Sequence, residues 1–246
     1  MQGVHVCSPP SVLRQPLPPT LARPSWRRAM RALAPAALAC LLTLISPALL
    51  AWDSQRIQQT ISRLEPRATA AVQPLLLLLR EASVLDEVAR LSAVNDFYNQ
   101  RVVFGEDLSV WGVTDYWASP LETLARGAGD CEDYAIAKYF SLLAAGVPDA
   151  RLRLVYARVI QARPGDAAVA HMVLAYYVAP GAEPLILDNL VSDVRGASRR
   201  ADLVPVFSFN IEGLWSGVDV VSSGDPAARL FRWRELLAKV REEGFL

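Results

Sequence analysis

The chain has 246 residues, 52% of them apolar, and its 25 Lys plus Arg are balanced by 25 Asp plus Glu. That length is enough for one sizeable core, and the zero formal charge gives no support for nucleic-acid binding or for steering to an anionic membrane. The apolar share is inflated by the N-terminus and does not describe a polytopic membrane protein.

In "RRAMRALAPAALACLLTLISPALLAW" arginines run up to Arg31, and an apolar run follows from about Ala32 to Ile45. Ser46 and Pro47 end it, with small residues at Ala48 and Ala51 near a cleavage point. The run is short for a membrane span and matches a secretory signal peptide, so residues 1–51 are expected to be a leader. The segment before Met30 is rich in Pro, Ser and Arg, which points to Met30 as the start of a compact "MRALAPA" leader. A signal anchor is a competing reading, as is a lipoprotein site at Cys40, which lacks the usual Leu three residues earlier. Loss of the leader removes Cys7, Cys40 and His5, leaving Cys131 and His171 each as the last of its kind. An internal disulfide is then impossible, and a lone cysteine is either buried and inert or reactive.

The remainder, 52–246, reads as a single domain. "SQRIQQTISRL" is a short polar helix, interrupted by Pro66 and Pro74. The next run places Leu85, Val88, Leu91, Val94 and Phe97 at helical spacing. "FGEDLSVWGVTDYW" is a loop or short-strand region. In "SPLETLARG" Ser119 is the N-cap, Pro120 the first helical residue, Glu122 the capping-box partner and Gly127 the stop. "GDCEDYAIAKYFSLLAAGVP" is a helix capped by Asp130 and ended by Gly146 and Pro148, with Ile136, Phe140 and Leu143 as its buried stripe. The pattern then changes to period two. "RLRLVYARVI", "HMVLAYYV" and "LILDNL" are strands joined at "RPGD" and "APGAEP", "LVPVFSFN" and "GLWSGVDVV" are shorter ones, and "PAARLFRWRELLAKVREE" is a closing helix. Helices followed by an antiparallel sheet make an α+β fold.

Cys131 falls at the first position of its helix, where free N–H groups and the helix dipole favour a thiolate and can hold an oxyanion. Its base would be His171, at the opening of a strand. Asp188, at the end of the strand that pairs with it across the "PG" turn, can orient the ring, and Asn189 is the alternative. On spacing alone, a pair of core residues and a strand-end turn former describe these three equally well.

The order of these residues resembles the transglutaminase-like branch of the papain-like superfamily. "VNDFYNQR", "WGVTDYWASPLETLARGAGDCEDYAIAKYFSLLAAGVP", "AHMVLAYY", "LILDNL" and "FSFNIEGLW" resemble more closely the bacterial transglutaminase-like cysteine proteinases of the LapG type. The resemblance implies a papain-like fold, with Cys131 as nucleophile, His171 as general base and Asp188 as orienting acid. It also implies a periplasmic, calcium-dependent endopeptidase that cleaves the N-terminal region of a large surface adhesin at a di-alanine site. Such enzymes are sequestered by an inner-membrane LapD-type cyclic-di-GMP receptor and so control biofilm attachment. A transglutaminase or amidase of the same fold, or a non-catalytic receptor-binding module, are the alternatives.

Three acids crowd Cys131 and should raise its pKa. Asp130, Glu132 and Asp133 are explained as first-turn caps, or as ligands of a Ca²⁺ that cancels their charge. Asp130 and Glu132 match the family's calcium positions, and Asp133 serves either as ligand or cap. Trp111, Trp117 and Trp215 read as core or interface aromatics, with Trp117 also a candidate beside the oxyanion.

Overall fold

The structure is a computed structural model in which residues 52–160 and 168–246 are described. The expected leader and the "RPGD" turn lie outside them.

Asp53 caps the first helix, α1 (Ser54–Ser62), by accepting the amides of Gln55 and Arg56. Its own amide bonds Gly244 O at 2.8 Å, so the start of the described chain is pinned to its end. Helix α2 (Pro66–Val84) opens with Pro66 in its first turn and runs on through Pro74. The interruption expected at Pro74 does not occur. A proline there removes one intrahelical bond, but Leu75, Leu76, Leu78 and Leu79 are all buried around it, and burial outweighs propensity. The long periodic run is two helices. It breaks at Leu85 and Asp86, and Asp86 caps α3 (Glu87–Arg101) through Ala89 N. Leu85 and Val88, two of the apolar residues at helical spacing, therefore sit at the break and are exposed, while Leu91, Val94 and Phe97 are buried.

Two-residue strand β1 (Val103–Phe104) pairs in parallel with β2 (Ala128–Gly129). Between them lie α4 (Asp107–Val110) and α5 (Pro120–Arg126). The capping box of α5 is present in full, with Gly127 in the left-handed conformation at its end.

Helix α6 (Cys131–Ala144) starts directly after β2 and is buried on every side from Asp133 to Ala144. A helix enclosed all round is a core element, here packed between the sheet and α2, α3 and α5. The sheet is antiparallel throughout: β3 (Leu152–Val159), β4 (Val169–Tyr176), β5 (Leu185–Leu187), β6 (Arg195–Gly196), β7 (Leu203–Phe209) and β8 (Leu214–Ser216). Their order across it is β6-β5-β4-β3-β7-β8. Pro205 is accommodated where the β3–β7 register shifts at Tyr156 and Ala157, an irregularity that frees a residue from donating to the ladder. Leu154, Met172, Leu174, Leu187 and Phe209 join the helical core, while Val155, Val173, Ala175 and Ile186 form a second cluster.

The closing helix is split into α7 (Pro226–Arg229) and α8 (Phe231–Glu243). Trp233 of α8 is fully buried, stacked on Phe140 and edge-on to Phe209, so the C-terminal helix is part of the same core. The fold is α+β, as the sequence pattern implies. No described helix is long and apolar enough to cross a membrane.

Candidate active site

Asp130 accepts the amides of Glu132 and Asp133 on its Oδ1, at 3.1 and 3.4 Å, and so starts α6 at Cys131. Tyr134 N bonds Asp130 O at 3.2 Å. Of the first-turn amides, that of Cys131 itself is left without a partner among the described residues.

Cys131 is half-buried, and its Sγ donates to Glu132 Oε2 at 2.8 Å. Burial pushes the thiol far up, and the Glu132 carboxylate, which is both a nearby charge and the acceptor of the thiol proton, pushes it further, followed by Asp130. The Met172 backbone acts in the opposite direction. Helix α6, which Cys131 opens, packs against β4, the strand that carries His171.

His171 is the third residue of β4 rather than its first. Its Nε2 is 2.8 Å from Asp188 Oδ1, and both side chains are buried. The neighbourhood expected across the hairpin is present: β4 and β5 pair as far as Leu174–Leu187, and Asp188 is the residue after β5. With Nε2 engaged, Nδ1 is the ring nitrogen available to a thiol. Asp188 Oδ1 also accepts Leu190 N at 3.1 Å, and Oδ2 accepts Arg200 Nη1 at 2.7 Å. Burial opposes ionisation of Asp188, but these donors, led by His171, hold it at about 2. Asn99 Nδ2 donates to Asp188 O at 2.8 Å and fixes the loop from outside. Asn189 Oδ1, the alternative acceptor, is buried with no partner.

The acids divide differently from the first-turn pattern. Asp107, Asp130 and Asp133 place carboxylate oxygens within 4.8 Å of one another, whereas Glu132 is turned to the sulfur. Asp107 belongs to α4 and is held by Tyr116 N on Oδ2, while its Oδ1 is buried with no hydrogen-bond partner. Asp133 accepts Ala118 N at 2.8 Å and Trp111 Nε1 at 3.2 Å. All three are harder to ionise than usual. Burial, then repulsion from Glu132, Asp133 and Asp107, pushes Asp130 to about 9. Burial raises Asp133 to about 7 against its two donors, and burial also raises Asp107. An all-oxygen set of converging carboxylates with one orphaned oxygen fits a hard divalent cation such as calcium.

Asp107 escaped the sequence reading because it lies in a separate short helix and shares no spacing with the "GDCED" stretch; an acid inside a tryptophan-flanked segment was the available signal. Arg200 escaped because nothing in "GASRRAD" separates it from Arg199. The tryptophans are placed apart. Trp111 donates to Asp133, Trp117 stacks on Phe209 at 5.7 Å, and Trp215 is buried under Arg153.

The family model described as bacterial transglutaminase-like cysteine proteinase (BTLCP) matches residues 79–201, a span containing Cys131, His171, Asp188 and Arg200. Among solved structures, the EGTA-treated form of Legionella pneumophila LapG is 38% identical, with a TM-score of 0.67 over 75% of this chain and 96% of that one. The calcium-bound form of the same protein is 38% identical, with a TM-score of 0.66 over 76% of this chain and 98% of that one. No curated protein sequence matches. A thiol at a helix N-terminus, a bonded His–Asp pair on the adjoining hairpin, and these likenesses agree: the chain belongs to the bacterial transglutaminase-like cysteine proteinases.

Proposed function

We propose that the chain is a calcium-dependent cysteine endopeptidase with Cys131 as nucleophile, His171 as general base and Asp188 as the acid that orients it. One observation carries the assignment. The His171–Asp188 bond of 2.8 Å leaves Nδ1 for the thiol, and Cys131 opens the helix packed against β4, the strand that carries His171.

In the first step the Cys131 proton passes to His171 Nδ1, and the sulfur attacks the scissile carbonyl. The carbonyl oxygen becomes an oxyanion within reach of the Cys131 N–H, the first-turn amide that Asp130 does not occupy. His171 then gives its proton to the leaving amine as the C–N bond breaks, leaving a thioester. A water enters, His171 takes its proton, and hydroxide attack releases the new carboxyl terminus and the thiol. Throughout, Asp188 keeps the ring in one tautomer and balances its positive form.

Asp107, Asp130 and Asp133 would hold the calcium, with Glu132 as a neighbouring acid. Bound there, the cation would offset the part of the unfavourable field at Cys131 that comes from Asp130.

The substrate is the N-terminal region of a large surface adhesin, cut at an alanine pair. The enzyme is an exported periplasmic protein, sequestered by a LapD-type cyclic-di-GMP receptor at the inner membrane, and its output is biofilm attachment. These parts of the reading rest on the family resemblance and on the leader-like N-terminus.

The test uses an adhesin N-terminal segment containing an alanine pair, incubated with wild type or Cys131→Ala, with calcium or a chelator. Mass spectrometry should find cleavage at the pair for wild type with calcium alone. Undiminished cleavage by Cys131→Ala removes the assignment, and isopeptide cross-links or deamidated Gln in place of cut chains point to a transglutaminase.

A further inference from the structure

Asp188 is gripped on both oxygens. Oδ1 faces His171 Nε2 at 2.8 Å, and Oδ2 takes Arg200 Nη1 at 2.7 Å. Arg200 follows the single helical turn Ala197–Arg199 and is 4% exposed. Its other face is held as well. Nε and Nη2 donate in parallel to Asp202 Oδ1 and Oδ2, at 3.0 and 2.8 Å. Such a fork fixes the plane of a guanidinium, and a plane fixed on one side presents its remaining nitrogen in one direction.

We propose that Arg200 is a positioning residue for the His171–Asp188 pair: anchored by Asp202, it sets the plane of the Asp188 carboxylate so that Oδ1 meets His171, and its charge moderates how tightly that carboxylate holds a proton on the ring. The proposal rests on the reading of His171 as the base. Asp188 stands one residue beyond β5, where its side-chain torsion is not fixed by the ladder. Leu190 N also donates to Oδ1, so it cannot hold Oδ2 away from the ring. Arg200 is the donor that separates the roles of the two oxygens.

The charged groups around Asp188 are His171 on β4, Arg200 after the helical turn, and Lys138 on α6. Asp202 stands behind Arg200, and Asp96 acts on Lys138. Replacing Arg200 alone keeps the other four. Loss of a positive charge makes every nearby acid hold its proton more tightly, so the imidazolium of His171 should titrate at higher pH.

Arg200→Met and Arg200→Lys in the full chain separate positioning from simple structural support. The readouts are the NMR titration of His171, with the second histidine assigned by His5→Gln, and kcat and KM on the alanine-pair segment. For Arg200→Met, the His171 midpoint should rise, and kcat should fall at least about tenfold with KM nearly unchanged. For Arg200→Lys the charge is kept and the fork lost, so the midpoint should stay while kcat falls by an intermediate factor. A lower melting temperature with an unmoved His171 midpoint and wild-type kcat per folded molecule overturns the proposal and leaves an ordinary buried ion pair. If Arg200→Met does not fold, Asp202→Asn takes its place; it frees the guanidinium plane and should lower kcat, and wild-type kcat there overturns the proposal too. A wild type that cleaves nothing refutes the protease reading, while the His171 midpoints still decide whether Arg200 acts on the pair.

Discussion

Lys138 is a charge buried in the core without a hydrogen-bond partner, and its replacement should stabilise the protein. It lies on α6 with no exposed surface, and its Nζ is buried with no hydrogen-bond partner. The ring of Tyr134 is 5.6 Å away. Burial lowers its pKa from 10.5 to about 7, against the attraction of Asp188 and Asp96. The unfolded chain therefore binds more protons than the folded one between those two values, and stability rises with pH across that window. At about 1.4 kcal/mol per tenfold, the charge costs about 4 kcal/mol at pH 7, about 5 in mild acid, and about 1 near pH 10. Lys138→Met keeps the stem and removes the charge, so it should gain those amounts and lose the pH slope. Urea unfolding followed by tryptophan fluorescence, at fixed calcium from about pH 6 to about pH 10, measures both. Parallel stability curves for wild type and variant, or a less stable variant at neutral pH, would refute the reasoning.

The other predictions concern the metal and a cap. Calcium should raise the melting temperature of wild type, and Asp107→Asn should remove most of that rise by deleting one of three converging carboxylates. Glu132→Gln should retain most of it, because that side chain is turned to Cys131; the reverse ranking would restore the first-turn set of ligands. Ser119→Ala removes a buried hydroxyl that caps α5 and donates to Glu243 Oε1 at 2.6 Å, and should lower stability by about 2 kcal/mol in chemical denaturation. Burial already lifts Glu243 to about 7 despite that donor. Its folded pKa is above its unfolded one, so its contribution fades as pH rises; the variant should suffer more above neutrality than in acid, and an equal loss at both would contradict the pairing.

Features carried by a few consecutive residues were legible in the sequence. "SPLETLARG" contains every atom of its capping box, and "GDC" contains the cap that starts α6 at Cys131. The His171–Asp188 meeting was legible because one turn and one hairpin register decide it. What failed was the balance between local signals and burial. Pro74 looked like a stop but lies among four buried leucines, and the helical spacing through Leu85 and Val88 masked the Asp86 cap. What was missing came from chain segments far apart. Asp107 joins the acids from α4, and Arg200 reaches Asp188 from beyond β6. No periodicity records such meetings, because they follow from the packing of whole elements rather than from neighbours in the chain.

The contact between Cys131 Sγ and Glu132 has a bearing on the lifetime of the protein as well as on its chemistry. Peroxide and disulfides attack or are attacked through the thiolate, so a thiol whose proton is held by a carboxylate is slow to become a sulfenic acid or a mixed disulfide. Wherever oxidants reach it, such protection decides how long a lone sulfur survives. Cys131 is the one cysteine among the described residues, so none of them offers a second thiol to resolve an oxidised state. Under the proposed mechanism, the neighbour that would slow its attack on a carbonyl also preserves it against damage, so durability and reactivity are opposite readings of one proton.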